Sequence, residues 1–251
     1  MTEFETVIGL EVHAQLRTGR KLFCRCATSF GAPPNTQICP VCLGLPGALP
    51  VVDQAAVDLA IAAGLALDCE VRTTSVFARK SYFYPDLAKG YQITQFERPL
   101  LEHGHLEVGA QRTRILRIHM EEDAAKSGHS SAGTVVDFNR AGVALIEIVS
   151  EPDLRSAEDA EAYLRALREI LLHVGPCDGN LEEGSFRCDA NVSVRPVGDP
   201  VLGTRVAPPN INSSRFVRLP LAHEAAPQRP IVTTRGPLCQ PLSRPHEPTH
   251  P

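Results

Sequence analysis

Much that would assign a function quickly is missing from this chain of 251 residues. No apolar run approaches the roughly 20 residues that a membrane-spanning helix needs. The first residues, Met1-Thr2-Glu3-Phe4-Glu5, are acidic and lack the apolar core of a signal peptide. The expected location is cytoplasmic, with no membrane partner. There is no Walker A loop and no G-x-G-x-x-G, so a nucleotide would have to be gripped by side chains. No G-x-S-x-G elbow supports a Ser or Cys hydrolase. A basic excess is absent too. The formal net charge is -4, which argues against holding nucleic acid by bulk attraction alone, and DNA is not an expected partner. No internal repeat is present.

What remains is an ordinary globular composition, 43% hydrophobic and 22% charged. Strand periodicity is the clearest signal. Between Val7 and Leu16, Ile8, Leu10, Val12, Ala14 and Leu16 share one side, while Glu11, His13 and Gln15 fall on the other. Between Phe186 and Arg195, Phe186, Cys188, Ala190, Val192 and Val194 oppose Arg187, Asp189, Asn191, Ser193 and Arg195. Two polar faces of this kind meeting in one sheet make a charged floor. Residues 114–120, 135–138 and 143–149 read as further strands, with 139–142 as a hairpin turn between the last two. A helix is predicted from Asp53 to about Leu67, with Ala56, Leu59, Ala60 and Ala63 on its stripe. A second starts in a capping box at Ser156 and stops at Gly175, with Ala160, Tyr163, Leu164, Leu167 and Leu171 facing the core. A turn over 180–184 feeds the last strand. The fold class is α+β: a mixed or antiparallel sheet with flanking helices.

Cys24-x-Cys26 and Cys39-x-x-Cys42, on either side of a Pro/Gly-rich loop, have the spacing to wrap four thiolates around Zn²⁺. With all four positions filled by cysteine, the metal would be structural. In a reducing compartment a metal is favoured over disulfides. The alternatives are a redox-active Cys39/Cys42 pair or plain buried thiols. Cys69, Cys177, Cys188 and Cys239 read as isolated. A second cluster gathers Glu11, His13, His119, Glu121, Glu122, Asp123, Glu147, Glu151, Glu182, Glu183 and Asp189. Glu147 lies inside an apolar run, where a carboxylate is tolerable if it faces a cation. Mg²⁺ suits a few carboxylates completed by water and phosphate oxygens. The alternative is a solvated sheet face carrying surface ion pairs. Aromatic residues are scarce at 5%, yet three of the four tyrosines, Tyr82, Tyr84 and Tyr91, fall beside Arg79, Lys80 and Lys89. These cations can hold phosphate and the rings can stack, or the tyrosines simply pack at a sheet edge.

Five segments together carry a resemblance: 7–13 (VIGLEVH), 79–87 (RKSYFYPDL), 119–124 (HMEEDA), 145–153 (LIEIVSEPD) and 181–191 (LEEGSFRCDAN). In these, and in the cysteine loop over 24–42, the chain resembles the GatB family of bacterial aspartyl/glutamyl-tRNA amidotransferases. The resemblance implies a cradle-shaped catalytic domain over residues 1–205 that works with an amidase (A) and a small (C) subunit in a heterotrimer. It implies that ATP phosphorylates Asp or Glu misacylated on tRNA(Asn) or tRNA(Gln), and that ammonia from glutamine then displaces phosphate. It also implies Mg²⁺ and a structural Zn²⁺. Carried over by position, Glu11, His13, Glu122, Glu151 and Asp189 are the implied catalytic set, with Glu11, His13, Glu122 and Asp189 on magnesium. Arg79, Lys80, Tyr82, Tyr84, Lys89, Glu147, Glu183 and Asn191 are implied to contact nucleotide or substrate. Strand alternation leaves open the choice between Glu121 and Glu122 and between Glu147 and Glu151.

After Arg205 the chain departs from the family pattern. Residues 206–251 hold ten prolines, five arginines, one glycine and two acidic residues. They are expected to form an aberrant, disordered tail of a truncated or frameshifted member. The alternative to an active subunit is a zinc-bearing remnant that binds partners without turnover.

Overall fold

The computed structural model describes residues 3–207, apart from Ala132 and the side chain of Ser130. In chain order the elements are β1 (Phe4–Gln15), α1 (Gln54–Ala66), β2 (Glu70–Val71), β3 (Phe77–Ser81), β4 (Tyr91–Gln95), β5 (Leu101–Val108), β6 (Gln111–Glu122), β7 (Lys126–Ser130), β8 (Gly133–Asp137), β9 (Ala144–Ser150), α2 (Ala157–Val174) and β10 (Phe186–Pro196). Six strands form one sheet in the order β10-β1-β9-β6-β5-β2, and every neighbouring pair is antiparallel. The expected α+β class is observed, with no parallel pair in the sheet. β3 with β4, and β7 with β8, make two separate hairpins.

The alternating patterns of β1 and β10 become the two faces of this sheet. Leu10, Val12 and Ala14 join Ile118, Met120, Ile146 and Ile148 beneath the helices. α1 presents Ala56, Ala60 and Ala63 to that layer, and its Gly64 lies so close to β5 that an added Cβ would meet Leu101 Cδ2 at 2.3 Å. Small side chains are what this approach requires. α2 buries Ala160, Tyr163, Leu164, Leu167 and Leu171, the predicted stripe. The Ser156 side chain accepts a hydrogen bond from the Asp159 backbone N–H, and Gly175 ends the helix at φ 90°.

The Tyr163 hydroxyl is buried without a hydrogen-bond partner among the described residues. Tyr163→Phe is expected to leave stability unchanged or raise it by up to about 1 kcal/mol in a urea melt. A clear loss would mean that the hydroxyl is satisfied.

Residues 139–142 are not a hairpin turn. β8 pairs with β7, whereas β9 pairs with β1 and β6, so the segment links two sheets. Its side chains are spent on the link: Asn139 accepts from the Gln37 backbone N–H at 2.8 Å, and Arg140 donates to the carbonyls of Ala124 and Ala125. Val206 pairs with Val192 through two backbone hydrogen bonds of 2.9 and 2.8 Å and is buried, so order extends one bridge past the expected boundary at 205. The rest of the expected tail, residues 208–251, lies outside the described residues.

Candidate functional site

The face of the sheet opposite the helices carries the chemistry. Register puts Arg187 opposite His13, His13 opposite Glu147 and Glu147 opposite His119, so four adjacent strands contribute one charged row. Glu11 and Asp189 face each other in the neighbouring register of β1 and β10. Odd-numbered residues of β1, β9, β10 and, beyond its register shift at Arg117, β6 make this face, which is why the motif segments converge although they are far apart in the chain.

Glu121 sits at the centre. Its Oε1 lies 3.2 Å from His13 Nδ1, and its Oε2 lies 3.7 Å from His119 Nε2 and 3.2 Å from the Thr94 hydroxyl. Glu147 Oε2 is 3.2 Å from His119 Nε2, and His13 Nε2 is 3.7 Å from Asp189 Oδ2. Asn191 donates to Glu11 Oε1 at 2.9 Å. His119 and Glu121 are each 4% exposed, so their charges are poorly solvated and depend on one another. Burial disfavours charge on Glu121, yet the hydrogen bonds from His119 and His13 outweigh it and hold the carboxyl below its ordinary range. Glu147 is lowered against the same burial by His119. Burial likewise disfavours charge on His13, but the Glu121 bond and the Glu147 charge raise its pKa above the usual value. His119 is raised by Glu121 and Glu147 against its burial. The two imidazoles and the two carboxylates thus each favour the other's charged form.

One ligand atom from each of His13, Glu121 and Glu147 lies within 4.8 Å of the others. Two carboxylates and one imidazole, bordered by Glu11 and Asp189, fit a hard divalent cation that keeps water or phosphate on its open positions. The set differs from the expected Glu11, His13, Glu122 and Asp189. Glu122 is the next residue along β6 after Glu121, and the alternation turns it away. It accepts from Lys89 Nζ and from the Ile93 N–H instead. Lys89 and Glu122 line a cavity of about 50 Å³ together with Cys24 and Cys42. Glu151 follows the end of β9, where its N–H donates to the Arg114 carbonyl, and it does not join the three. Glu183 is exposed in the turn before β10.

Of the predicted nucleotide-contacting residues, Arg79, Lys80, Tyr82, Tyr84 and Lys89 lie on or beside the β3–β4 hairpin, whereas Glu147, Glu183 and Asn191 lie on β9, in the turn before β10 and on β10. Arg79 and Lys80 are exposed; the Arg79 guanidinium stands 5.1 Å and Lys89 Nζ 5.6 Å from the centre of the Tyr91 ring. Tyr84 is exposed. Burial, and then the charges of Asp86 and Glu121, raise the pKa of the Tyr82 hydroxyl. Two participants escape the sequence reading. Thr94 is one, on a strand the pattern does not reveal. Asp123, 4% exposed, is the other in role; it accepts from Gln15 at 2.7 Å and Arg187 at 3.0 Å, tying the far ends of β1 and β10 to the end of β6.

Cys24, Cys26, Cys39 and Cys42 come together, with all four Sγ atoms within 4.8 Å of one another and Cys39 and Cys42 sulfurs 3.9 Å apart. Tetrahedral Zn–S bonds of about 2.3 Å put sulfurs roughly 3.8 Å apart, so the cluster fits zinc. Hydrogen bonds from Cys24 and the Cys39 backbone, and further off the Lys21 charge, hold the Cys42 thiol below its usual range, whereas the hydrogen bond with Cys42 pushes Cys24 up and burial pushes Cys26 up to about 11. Burial pushes Cys69 up to about 12 and Cys177 up to about 11, which leaves them as inert core thiols.

Comparison with known proteins adds a family. A family model described as the GatB/GatE catalytic domain matches residues 6–247. The B subunit of the aspartyl/glutamyl-tRNA(Asn/Gln) amidotransferase from Oleidesulfovibrio alaskensis is 60% identical over 238 residues, covering 92% of this chain and 50% of that protein. The protein of the same name from Myxococcus xanthus is 55% identical over 246 residues, covering 96% and 51%. That from Geobacter sulfurreducens is 54% identical over 246 residues, covering 94% and 51%. The chain thus spans about half the length of the curated relatives it matches. No helix among the described residues is long and apolar enough to cross a membrane.

Proposed function

The chain belongs to the GatB/GatE catalytic-domain family, and from that premise we propose that it carries the phosphorylating site of an aspartyl/glutamyl-tRNA(Asn/Gln) amidotransferase. The observation that supports this most is the acidic row of the sheet, where Glu11, His13, Glu121, Glu147 and Asp189 share one face. A side-chain carboxylate is a poor acyl donor because its leaving group would be oxide. An oxygen of the Asp or Glu on misacylated tRNA attacks the γ-phosphorus of ATP, and ADP departs. Ammonia then attacks the acyl carbon, phosphate leaves with the bonding pair, and the amide remains.

Glu121, Glu147 and His13, with Glu11 and Asp189 beside them, would hold Mg²⁺. The ion offsets phosphoryl negative charge during transfer. His119, within 3.7 Å of Glu121 and 3.2 Å of Glu147, holds the two carboxyl groups in place. Asn191 fixes Glu11. Arg79 and Lys80, exposed on the hairpin, would meet the phosphates, with Tyr82 and Tyr84 flanking the substrate, while Lys89 is held by Glu122. Zinc in the cysteine cluster would brace the loop between β1 and α1. Amidase and small subunits complete the proposed heterotrimer.

The test adds the chain to purified amidase and small subunits with ATP, glutamine and misacylated tRNA, and follows ADP and the amidated product. Asp189→Asn should fold like the parent, since its side chain is 56% exposed, and should lower ATP-dependent activation by about tenfold or more. Unchanged single-turnover phosphorylation would remove Asp189 from the site. The alternative reading is a zinc-bearing remnant that binds partners without turnover. Complex formation without ADP or amide would establish it.

A further inference from the structure

Lys21 is fully buried, at 0% exposure. Its Nζ donates to the Phe138 carbonyl at 3.3 Å, and no described carboxylate forms an ion pair with it. An ammonium ion in a dry site with one neutral acceptor is costly. Glu122, a nearby buried carboxylate, is taken by Lys89.

The surroundings of Lys21 point to a different anion. Its backbone N–H donates to the Cys26 carbonyl at 3.1 Å, closing the turn that carries Cys24 and Cys26. A Cβ built on Gly142 would lie 3.4 Å from Cys42 Cβ, 3.5 Å from Lys21 Cδ and 3.9 Å from Glu122 Oε2, so the lysine stem, the fourth cysteine and the Lys89-paired carboxylate flank the same point. Four thiolates around one Zn²⁺ leave a net charge of two minus. We infer that Lys21 is the buried counter-cation of the Cys24/Cys26/Cys39/Cys42 metal–thiolate centre. The lysine and the loaded centre neutralise each other, and each is less stable without the other. The inference rests on the zinc reading of that cluster.

The experiment uses the full chain loaded with zinc, and Lys21→Met and Lys21→Gln. Zinc retention is read by competition with a chromogenic chelator, and tetrahedral thiolate coordination by the absorption of the cobalt-substituted protein. Both uncharged variants should hold zinc roughly 10- to 100-fold more weakly, the range seen when a group supporting metal ligands is removed. Their metal-free forms should melt no lower than the metal-free parent, because an unpaired buried charge has gone. Parent-like zinc affinity in either variant overturns the inference, as does an equal loss of stability with and without metal, the mark of a packing role. Should neither variant fold, the parent decides: proton exchange of the Lys21 ammonium, followed by NMR, should be slower with zinc bound than after its removal. Equal exchange overturns the inference. A parent that retains no zinc sinks the zinc reading itself, whereas a zinc-binding parent indifferent to Lys21 sinks only this step.

Discussion

Replacing Cys42 by serine should release the zinc and lower the melting temperature on the order of 10 °C. Cys42 is the one buried member of the cysteine cluster, at 5% exposure, and its sulfur also accepts from the Cys39 N–H at 3.1 Å. Structural zinc contributes roughly 10–16 kcal/mol in peptides that have no other core. This chain has a separate core beneath the sheet, so only a fraction of that energy appears in the global melt. The loop is not idle in the fold, however. Leu22 is fully buried, its N–H donates to the Gly142 carbonyl at 2.9 Å, and the Leu22 carbonyl accepts from the Asp53 N–H at 2.8 Å, just before α1. Loosening the knot therefore loosens the start of α1. Zinc analysis paired with thermal melts checks this. A parent-like melt with zinc still bound in full would remove Cys42 from the metal's ligands.

Glu121→Gln should cost about 3–5 kcal/mol, the usual penalty for removing one partner from a buried ion pair. Glutamine keeps the shape but leaves His13 and His119 without their shared anion. The pH dependence gives a sharper reading. In the parent, His13 and His119 have raised pKa values, so their contribution is complete below the ordinary histidine value of 6.5 and is lost as pH rises through the elevated folded values. Glu121 and Glu147 have lowered values, so their contribution is present above the ordinary 4.5 and is lost as pH falls through the folded values. The parent in magnesium-free buffer should therefore be most stable between about pH 4.5 and 6.5, and should lose stability on either side. In the variant the alkaline loss should begin at lower pH. Urea melts across pH, with NMR titration of the two imidazoles, measure both effects. Imidazoles titrating at or below 6.5 in the parent would overturn the ion-pair description.

The large periodic elements were legible in the sequence because burial and alternation coincide there. β1, β9, β10 and α2 follow their patterns residue by residue, and the Ser156 and Gly175 caps occur where the sequence puts them. The cysteine cluster was legible from spacing alone. β4 was not, because its buried positions include Gln92, Thr94 and Gln95, whose side chains satisfy backbone and carboxylate groups of β6 and its neighbours. A polar residue recruited to complete another strand's hydrogen bonds looks like a loop residue in a sequence. The turn at 139–142 failed for a topological reason. Two strands separated by the four residues Asn139-Arg140-Ala141-Gly142 imply a hairpin locally, and only the competing partners of β9 show otherwise. The pairs Glu121/Glu122 and Glu147/Glu151 could not be separated without the frame of β6 and β9. Once register is fixed, the odd-numbered member on the strand faces the site.

The charged row and the core share the same four strands, one on each side of the pleat. Inserting or deleting a single residue in the middle of β1 would swing His13 down among the helices and lift Val12 into water. Such a protein loses its solvophobic layer in the same stroke that empties its charged surface. Change at this surface is thereby confined to exchanging one side chain for another, with chain length in the strands held constant.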